Sequence, residues 1–230
     1  MTIRYPWLLF DADDTLFDYG RAENEAVRGA FEAQGVAFDD RWLAAYRVVN
    51  ARAWRALEQG RVTPARLRVV RFEELFAELG LALDPVAFSA VYLGQLAMQA
   101  HLTDGALEVV ESLRANHRVA IITNGLSDVQ RPRIARSPLA GVVEHLVISE
   151  EIGAAKPDPA FFAVALERMG GPDRRDVLVI GDSLSSDIAG GVAAGLDTCW
   201  FNPRAHGRGD VPAPTYEIRR LDELPALLGH

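Results

Sequence analysis

Trp7-Leu8-Leu9-Phe10-Asp11-Ala12-Asp13-Asp14-Thr15-Leu16-Phe17-Asp18 is the stretch that decides the fold. Four large apolar residues in succession read as a strand buried on both faces, with Asp11 at or just past its carboxyl end. Open α/β sheets bind their ligands at that end. Asp11 and Asp13 are two apart, so one serves as a nucleophile while the other stands beside it as acid/base, and a divalent cation would offset their repulsion. An isolated Asp-x-Asp after a strand is more often an acidic turn. Three later segments give this one its chemistry.

Downstream of that strand, residues 19–100 lose strand-like runs and show four helical patterns, over about 21–34, 39–59, 64–79 and 85–100. Thr63-Pro64 and Asp84-Pro85 each set a capping side chain before a proline at the first helical position. Gly35, Gly60 and Gly80 fall near the ends of the first three helices. Trp42, Tyr46, Val49, Trp54 and Leu57 keep helical spacing and read as core, so Trp54 and Asn50 are packing residues before they are ligand contacts. Phe17, Asp18 and Tyr19 lead into this module and residues 102–104 lead out, an arrangement that lets it move as a lid.

From Asp104 helix and strand alternate: a helix over 104–115, a strand over 119–122 ending in Thr123-Asn124-Gly125, a helix over 128–136 and a strand over 146–148. A helix from Asp158 or Pro159 to about Met169 precedes a strand over 177–180 that ends in Gly181-Asp182-Ser183. A small-residue helix then runs through Ala194 to a strand over 198–201, and a Pro- and Gly-rich tail returns at 216–218 before a last helix over 222–228. Such alternation predicts an α/β fold, a doubly wound parallel sheet with helices on both faces. The expected division is a core of residues 1–18 and 102–230 with a four-helix insertion over 19–101.

A chain of 230 residues, 49% apolar and 24% charged, can build one large core and an accessory domain. Its net charge of -8 and pI near 5.2 argue against a nucleic acid polymer or an anionic membrane as partner. The single cysteine, Cys199, excludes an intramolecular disulfide and a Cys-based zinc cage, and within Thr198-Cys199-Trp200-Phe201 it reads as a buried thiol. No secretory signal pattern and no run of membrane-spanning length is present, so the expectation is a cytoplasmic protein, monomer or homodimer.

Asp11 and Asp13, Thr123 and Asn124, and Asp182 and Ser183 each follow a strand, so neighbouring strands would bring them to one crevice. Ala155-Lys156-Pro157-Asp158-Pro159 sets a lysine, a rare residue in this chain, against two prolines that stiffen its backbone. Asp182 and Asp187, five apart across a strand-to-helix turn, suit one direct and one outer metal contact. Three or four carboxylates, one ammonium and a hydroxyl make a site for Mg²⁺ and a phosphoryl group, since hard oxygen donors without histidine favour that ion. In it Thr123 would donate to a phosphoryl oxygen, and Lys156 would balance Asp11 and the substrate.

These segments resemble the haloacid dehalogenase superfamily of phosphatases in order, spacing and strand placement. Asp11-Ala12-Asp13-Asp14-Thr15 looks like its first motif, Thr123 the second, Lys156 the third and Gly181-Asp182-Ser183-Leu184-Ser185-Ser186-Asp187 the fourth. The helical insertion is similar to the family's four-helix cap. The resemblance implies a Mg²⁺-dependent phosphomonoesterase with an aspartyl-phosphate on Asp11, proton transfers by Asp13, and metal ligands Asp11, the Asp13 carbonyl and Asp182 with Asp187 behind. It also implies phosphate binding by Thr123, Asn124 and Lys156. Segments 148–153, 187–191 and 198–202 look like the pyrimidine nucleoside 5'-monophosphate phosphatases, so the expected partner is a small phosphorylated metabolite, a nucleoside monophosphate. N-acylneuraminate-9-phosphatase and phosphoglycolate phosphatase are the competing substrate classes.

Gly190, Gly191 and Gly195 come too late after a strand for a dinucleotide loop and read as helix packing. Gly181-Asp182-Ser183 lacks the second glycine of a nucleophile elbow, which argues against a serine hydrolase. In the resembled superfamily, dehalogenases lack a carboxylate at the position of Asp13, so Asp13 favours phosphoester chemistry. A phosphomutase, and a non-catalytic phosphate-binding module, stay open at this stage. The full set Asp11, Asp13, Thr123, Lys156 and Asp182 weighs against the latter.

Overall fold

The computed structural model describes residues 3–229. Strand β1 (Trp7–Asp11) is central in a six-stranded parallel sheet of order β3-β2-β1-β4-β5-β6. The other strands are β2 (Arg118–Thr123), β3 (His145–Ile148), β4 (Val177–Gly181), β5 (Asp197–Phe201) and β6 (Tyr216–Ile218). Every residue of β1 is buried. Alternation along the strand sends Leu8 and Phe10 to one face, with helices α5 (Ala106–Leu113) and α10 (Leu224–Leu228), and Trp7 and Leu9 to the other, with α8 (Pro159–Arg168). The apolar run is therefore covered on both sides, as its composition demands.

The chain runs outward from β1 to β2 and β3, then returns to pair β4 with the other side of β1. That reversal makes a topological switch point at the carboxyl ends of β1 and β4, where a crevice opens. Between β1 and β2 lie α1 (Tyr19–Ala33), α2 (Asp40–Glu58), α3 (Pro64–Leu79) and α4 (Pro85–Met98). Asp18, Asp39, Thr63 and Asp84 cap them through side-chain oxygens that accept from backbone N–H groups of the first turns. Their inner faces share a cluster that includes Phe31, Tyr46, Phe72, Phe76, Phe88 and Tyr92, each buried ring contributing about 1.5–3 kcal/mol. Leu126 and Val129, just before and on α6 (Ser127–Arg136), close the cluster.

The incoming and outgoing links run side by side. Phe17 pairs antiparallel with Leu102, Asp18 N–H donates to the His101 carbonyl at 3.0 Å, and Thr103 N–H donates to that of Leu16 at 3.0 Å. Two departures from the expected elements have local causes. A short helix α7 (Ser149–Ile152) follows β3, stopped by Gly153 in a left-handed conformation. The helix expected to run unbroken through Ala194 begins instead as a π-helical turn over Leu184–Ile188 and continues as the short α9 (Ala189–Ala193). Asp187 accepts from the Ser183 N–H at 3.1 Å and is drawn inward there, which sets the wider turn. None of the described helices is long and apolar enough to cross a membrane.

Candidate active site

The loop after β1 folds back at once. Leu16 and Phe17 N–H groups both donate to the Ala12 carbonyl, at 3.0 and 2.8 Å, and Asp14 adopts φ 59, a left-handed conformation that Asp tolerates better than most residues. Asp11 is thereby left at the strand end and Asp13 on the loop beside it. Thr15, fully buried, accepts the Asp182 N–H on Oγ1 at 3.1 Å, and Trp200 Nε1 donates to the Asp182 carbonyl at 2.9 Å, so the loops after β1 and β4 are tied together.

Lys156 is the hub. Its buried ammonium donates to Asp11 Oδ1 at 2.5 Å, Asp187 Oδ1 at 2.6 Å and the Ile122 carbonyl at 3.0 Å. Burial opposes that charge, but the two carboxylates outweigh it and raise the lysine pKa. Burial pushes the Asp11 carboxyl above the usual range; Lys156 opposes the shift, and Asp187 and Asp182 add to it. Asp182, buried with Asp187 and Asp14 nearby, is pushed up to about 7. Gly181 is required here, because a β-carbon on it would overlap the Asp187 carboxylate.

One carboxylate oxygen from each of Asp11, Asp182 and Asp187 lies within 4.8 Å of the others. Three hard oxygen donors share a single ammonium, so this donor set fits a divalent cation such as Mg²⁺ and does not fit a soft metal.

Thr123 is buried at the end of β2, and its Oγ1 accepts the Gly125 N–H at 3.0 Å, which leaves the hydroxyl hydrogen to donate elsewhere. Asn124 is engaged on both sides of its amide: Nδ2 donates to the Lys156 carbonyl at 2.8 Å and Oδ1 accepts the Lys156 N–H at 2.8 Å. Its side chain thereby positions the lysine, and it lines the same cavity with one Nδ2 hydrogen left to donate.

The six expected carboxylate, hydroxyl and amine residues Asp11, Asp13, Thr123, Lys156, Asp182 and Asp187 line one cavity of about 210 Å³. Tyr19, Asn50 and Trp54 of the insertion form its opposite wall. Phe17, at the entry to the insertion, is 1% exposed and packed in the sheet core under the Arg133 guanidinium, 4.5 Å from the ring centroid. A larger cleft of about 620 Å³ on the far side of Asp182 shares that residue alone with the site.

Two residues escaped the sequence reading. Gln130 Nε2 donates to Asp13 Oδ2 at 2.7 Å, and Arg133 NH2 donates to Asp13 Oδ1. Both belong to α6, three residues apart, and so lie on one face of it. Gly125 makes room, since a β-carbon there would overlap Gln130. Each oxygen of Asp13 thus accepts one hydrogen bond that holds the carboxylate in place beside the cavity, with a lone pair left on each.

A parallel sheet with carboxylates at its switch point, a lysine between them and a helical insertion after the first strand defines a class. The chain belongs to the haloacid dehalogenase-like hydrolases, whose family model matches residues 5–195. It is 35% identical to pyrimidine 5'-nucleotidase YjjG of Escherichia coli, over 98% of this chain and 99% of that one. Pyrimidine 5'-nucleotidase PynA of Streptococcus pneumoniae is 33% identical, over 96% of this chain and 93% of its own. The crystal structure of the HAD-hydrolase YfnB from Bacillus subtilis, bound to magnesium and showing interdomain movement, superposes with a TM-score of 0.91 at 38% identity, covering 99% of this chain and 100% of that one.

Proposed function

We propose that this protein is a Mg²⁺-dependent phosphomonoester hydrolase acting on nucleoside 5'-monophosphates, pyrimidines ahead of purines. The observation that carries the chemistry is the Lys156 ammonium held between Asp11 and Asp187 at 2.5 and 2.6 Å, below a cavity walled by the insertion. The substrate class is supported by the names of two relatives that match nearly the whole chain.

Asp11 attacks phosphorus through the carboxylate oxygen that Lys156 does not hold, and the ester P–O bond breaks. Asp13 gives its proton to the departing oxygen. It then takes one from the water that attacks the aspartyl-phosphate, and phosphate leaves with Asp11 restored. The Thr123 hydroxyl donates to a phosphoryl oxygen, and Lys156 fixes Asp11 while balancing its charge. Asn124 positions Lys156 and donates its remaining Nδ2 hydrogen to a phosphoryl oxygen. Mg²⁺, held by Asp11, the Asp13 carbonyl and Asp182 with Asp187 behind, would supply positive charge for the phosphoryl oxygens. Residues 19–101 act as the cap and residues 1–18 with 102–230 as the catalytic core.

Phosphate release is to be measured from dUMP, dTMP, UMP, AMP, GMP, N-acetylneuraminate 9-phosphate and phosphoglycolate. The expected result is the highest kcat/KM for the pyrimidine nucleotides, loss of turnover on chelation with recovery on adding Mg²⁺, and a fall on the order of 10⁴-fold or more in Asp11→Asn. A purine or non-nucleotide in first place refutes the substrate class, and an active Asp11→Asn refutes the nucleophile.

A further inference from the structure

Helix α6 turns its polar residues two ways. Asp128 and Arg131 are exposed, Asp128 accepting from Arg68 of the insertion at 2.9 Å and Arg131 NH2 donating to Glu151 at 2.6 Å. Gln130 and Arg133 are buried instead, at 1% and 0% exposure. Burying an amide and a guanidinium is costly unless each finds a partner, and both find the same one. Gln130 Nε2 reaches one oxygen of Asp13 at 2.7 Å and Arg133 NH2 the other. Gln130 Oε1 and Arg133 Nε and NH1 are left without hydrogen-bond partners, so the burial of these side chains gains little stability beyond their contact with Asp13. What holds the pair is fixed on two sides. The Arg133 guanidinium lies over Phe17, itself in the sheet core, and Leu126 and Val129 set the rotation of α6 by packing into the aromatic cluster of the insertion.

Asp13 needs such a grip. The backbone of its loop is closed by the bonds to the Ala12 carbonyl, but its side chain is 28% exposed beside the cavity and would otherwise be free to change rotamer. In the reaction proposed above, on which this inference rests, the same carboxyl meets the ester oxygen in one step and a water in the next. We propose that Gln130 and Arg133 are positioning residues that hold Asp13 in the orientation both proton transfers require. The Asp13 proton passes to the ester oxygen as the P–O bond breaks; a water proton then returns to Asp13 as the water oxygen joins phosphorus and the bond from Asp11 to phosphorus breaks. Each Asp13 oxygen keeps a lone pair beside its bond to α6, so both transfers proceed with the grip intact. Neither Gln130 nor Arg133 lines the main cavity, so each acts through Asp13 and not on the substrate. A carboxyl displaced by about 1 Å loses on the order of 100-fold in rate.

The test uses phenyl phosphate and p-nitrophenyl phosphate, which share a ring and differ in how much the departing oxygen needs a proton. Single-turnover phosphorylation is measured for the wild-type protein and for Gln130→Met, which keeps the side-chain volume and removes the donor. Gln130→Met is expected to lose about 10-fold or more on phenyl phosphate and little on p-nitrophenyl phosphate. Hydrolysis of its phosphoenzyme slows as well, so p-nitrophenol appears as a burst followed by slower turnover. Arg133→Met is expected to lose more on phenyl phosphate, and Arg133→Lys to recover part of that loss. Arg131→Ala, between the two on the exposed side of α6, is expected to keep the wild-type ratio of the two rates. An unchanged ratio in Gln130→Met overturns the proposal, and so does an equal change of ratio in Arg131→Ala, which would mean that the helix and not the contact is being read. Gln130→Met decides by itself if the Arg133 variants do not fold. Wild-type protein inactive on both esters overturns the phosphatase reading, and this one with it; which nucleotide is preferred does not enter the comparison.

Discussion

The catalytic floor and the helical insertion bury charge in opposite ways. On the floor the ammonium of Lys156 is bonded to two carboxylates, and Asp13 is held by Gln130 and Arg133. In the insertion Arg71 is equally buried but has no carboxylate partner: it has one amide contact, and its Nε and NH2, like Nε and NH1 of Arg133 on the floor, are without hydrogen-bond partners. A site whose reactive groups are already bonded to one another is preorganised for one reaction whatever the leaving group. A site with open donors is completed by the molecule that enters, and it discriminates for that reason. On the proposed reading, chemistry belongs to the sheet and selection to the insertion.

Lys156→Met strikes the floor hardest. It leaves Asp11 and Asp187 buried without their cation, so activity is expected to vanish together with about 3–5 kcal/mol of stability, read by urea denaturation. A variant of undiminished stability would show that the floor is not preorganised by this pairing. Next in size, Asp13→Asn is expected to slow the phosphorylation step for an alkyl phosphate by about 10²- to 10⁴-fold, and much less for an aryl phosphate with a good leaving group. Equal losses on both, in single-turnover measurements, would remove Asp13 from the acid role.

The smallest effect concerns the seam between the two regions. Arg68 of α3 donates to Asp128 at 2.9 Å and to Glu150 at 2.8 Å, joining the insertion to α6 and α7. These groups are partly exposed, so Arg68→Ala is expected to cost only about 1 kcal/mol, less at high salt. Thermal unfolding in low and high salt reads it, and a loss independent of salt would mean that packing, not charge, closes the seam.

The floor was legible in the sequence because strand ends are. Asp11, Thr123 and Asp182 each follow a short buried run, and Lys156 stands out beside prolines. The partners of Asp13 were not legible, since Gln130 and Arg133 lie on a short polar helix whose rotation only the packing fixes. Arg71 was hidden for a related reason. In Arg71-Phe72-Glu73-Glu74-Leu75 a charged residue reads as solvent-facing, and its burial follows from how α3 meets α2 and α4. Of the two aromatics at the entry to the insertion, Phe17 is folded into the sheet core by the first turn after β1, and Tyr19 lines the cavity, a difference that the sequence does not carry.

Trapping the phosphorylated enzyme tests the division most directly. Acid quenching during turnover of radiolabelled dTMP and, separately, p-nitrophenyl phosphate, followed by peptide mapping, reports where phosphate attaches and how fast it leaves. The expected result is label on Asp11 from both donors, formed at different rates and lost at one common rate, because the leaving group has departed before hydrolysis begins. Label absent or placed on Asp13, or a decay rate that depends on the donor, would contradict the account.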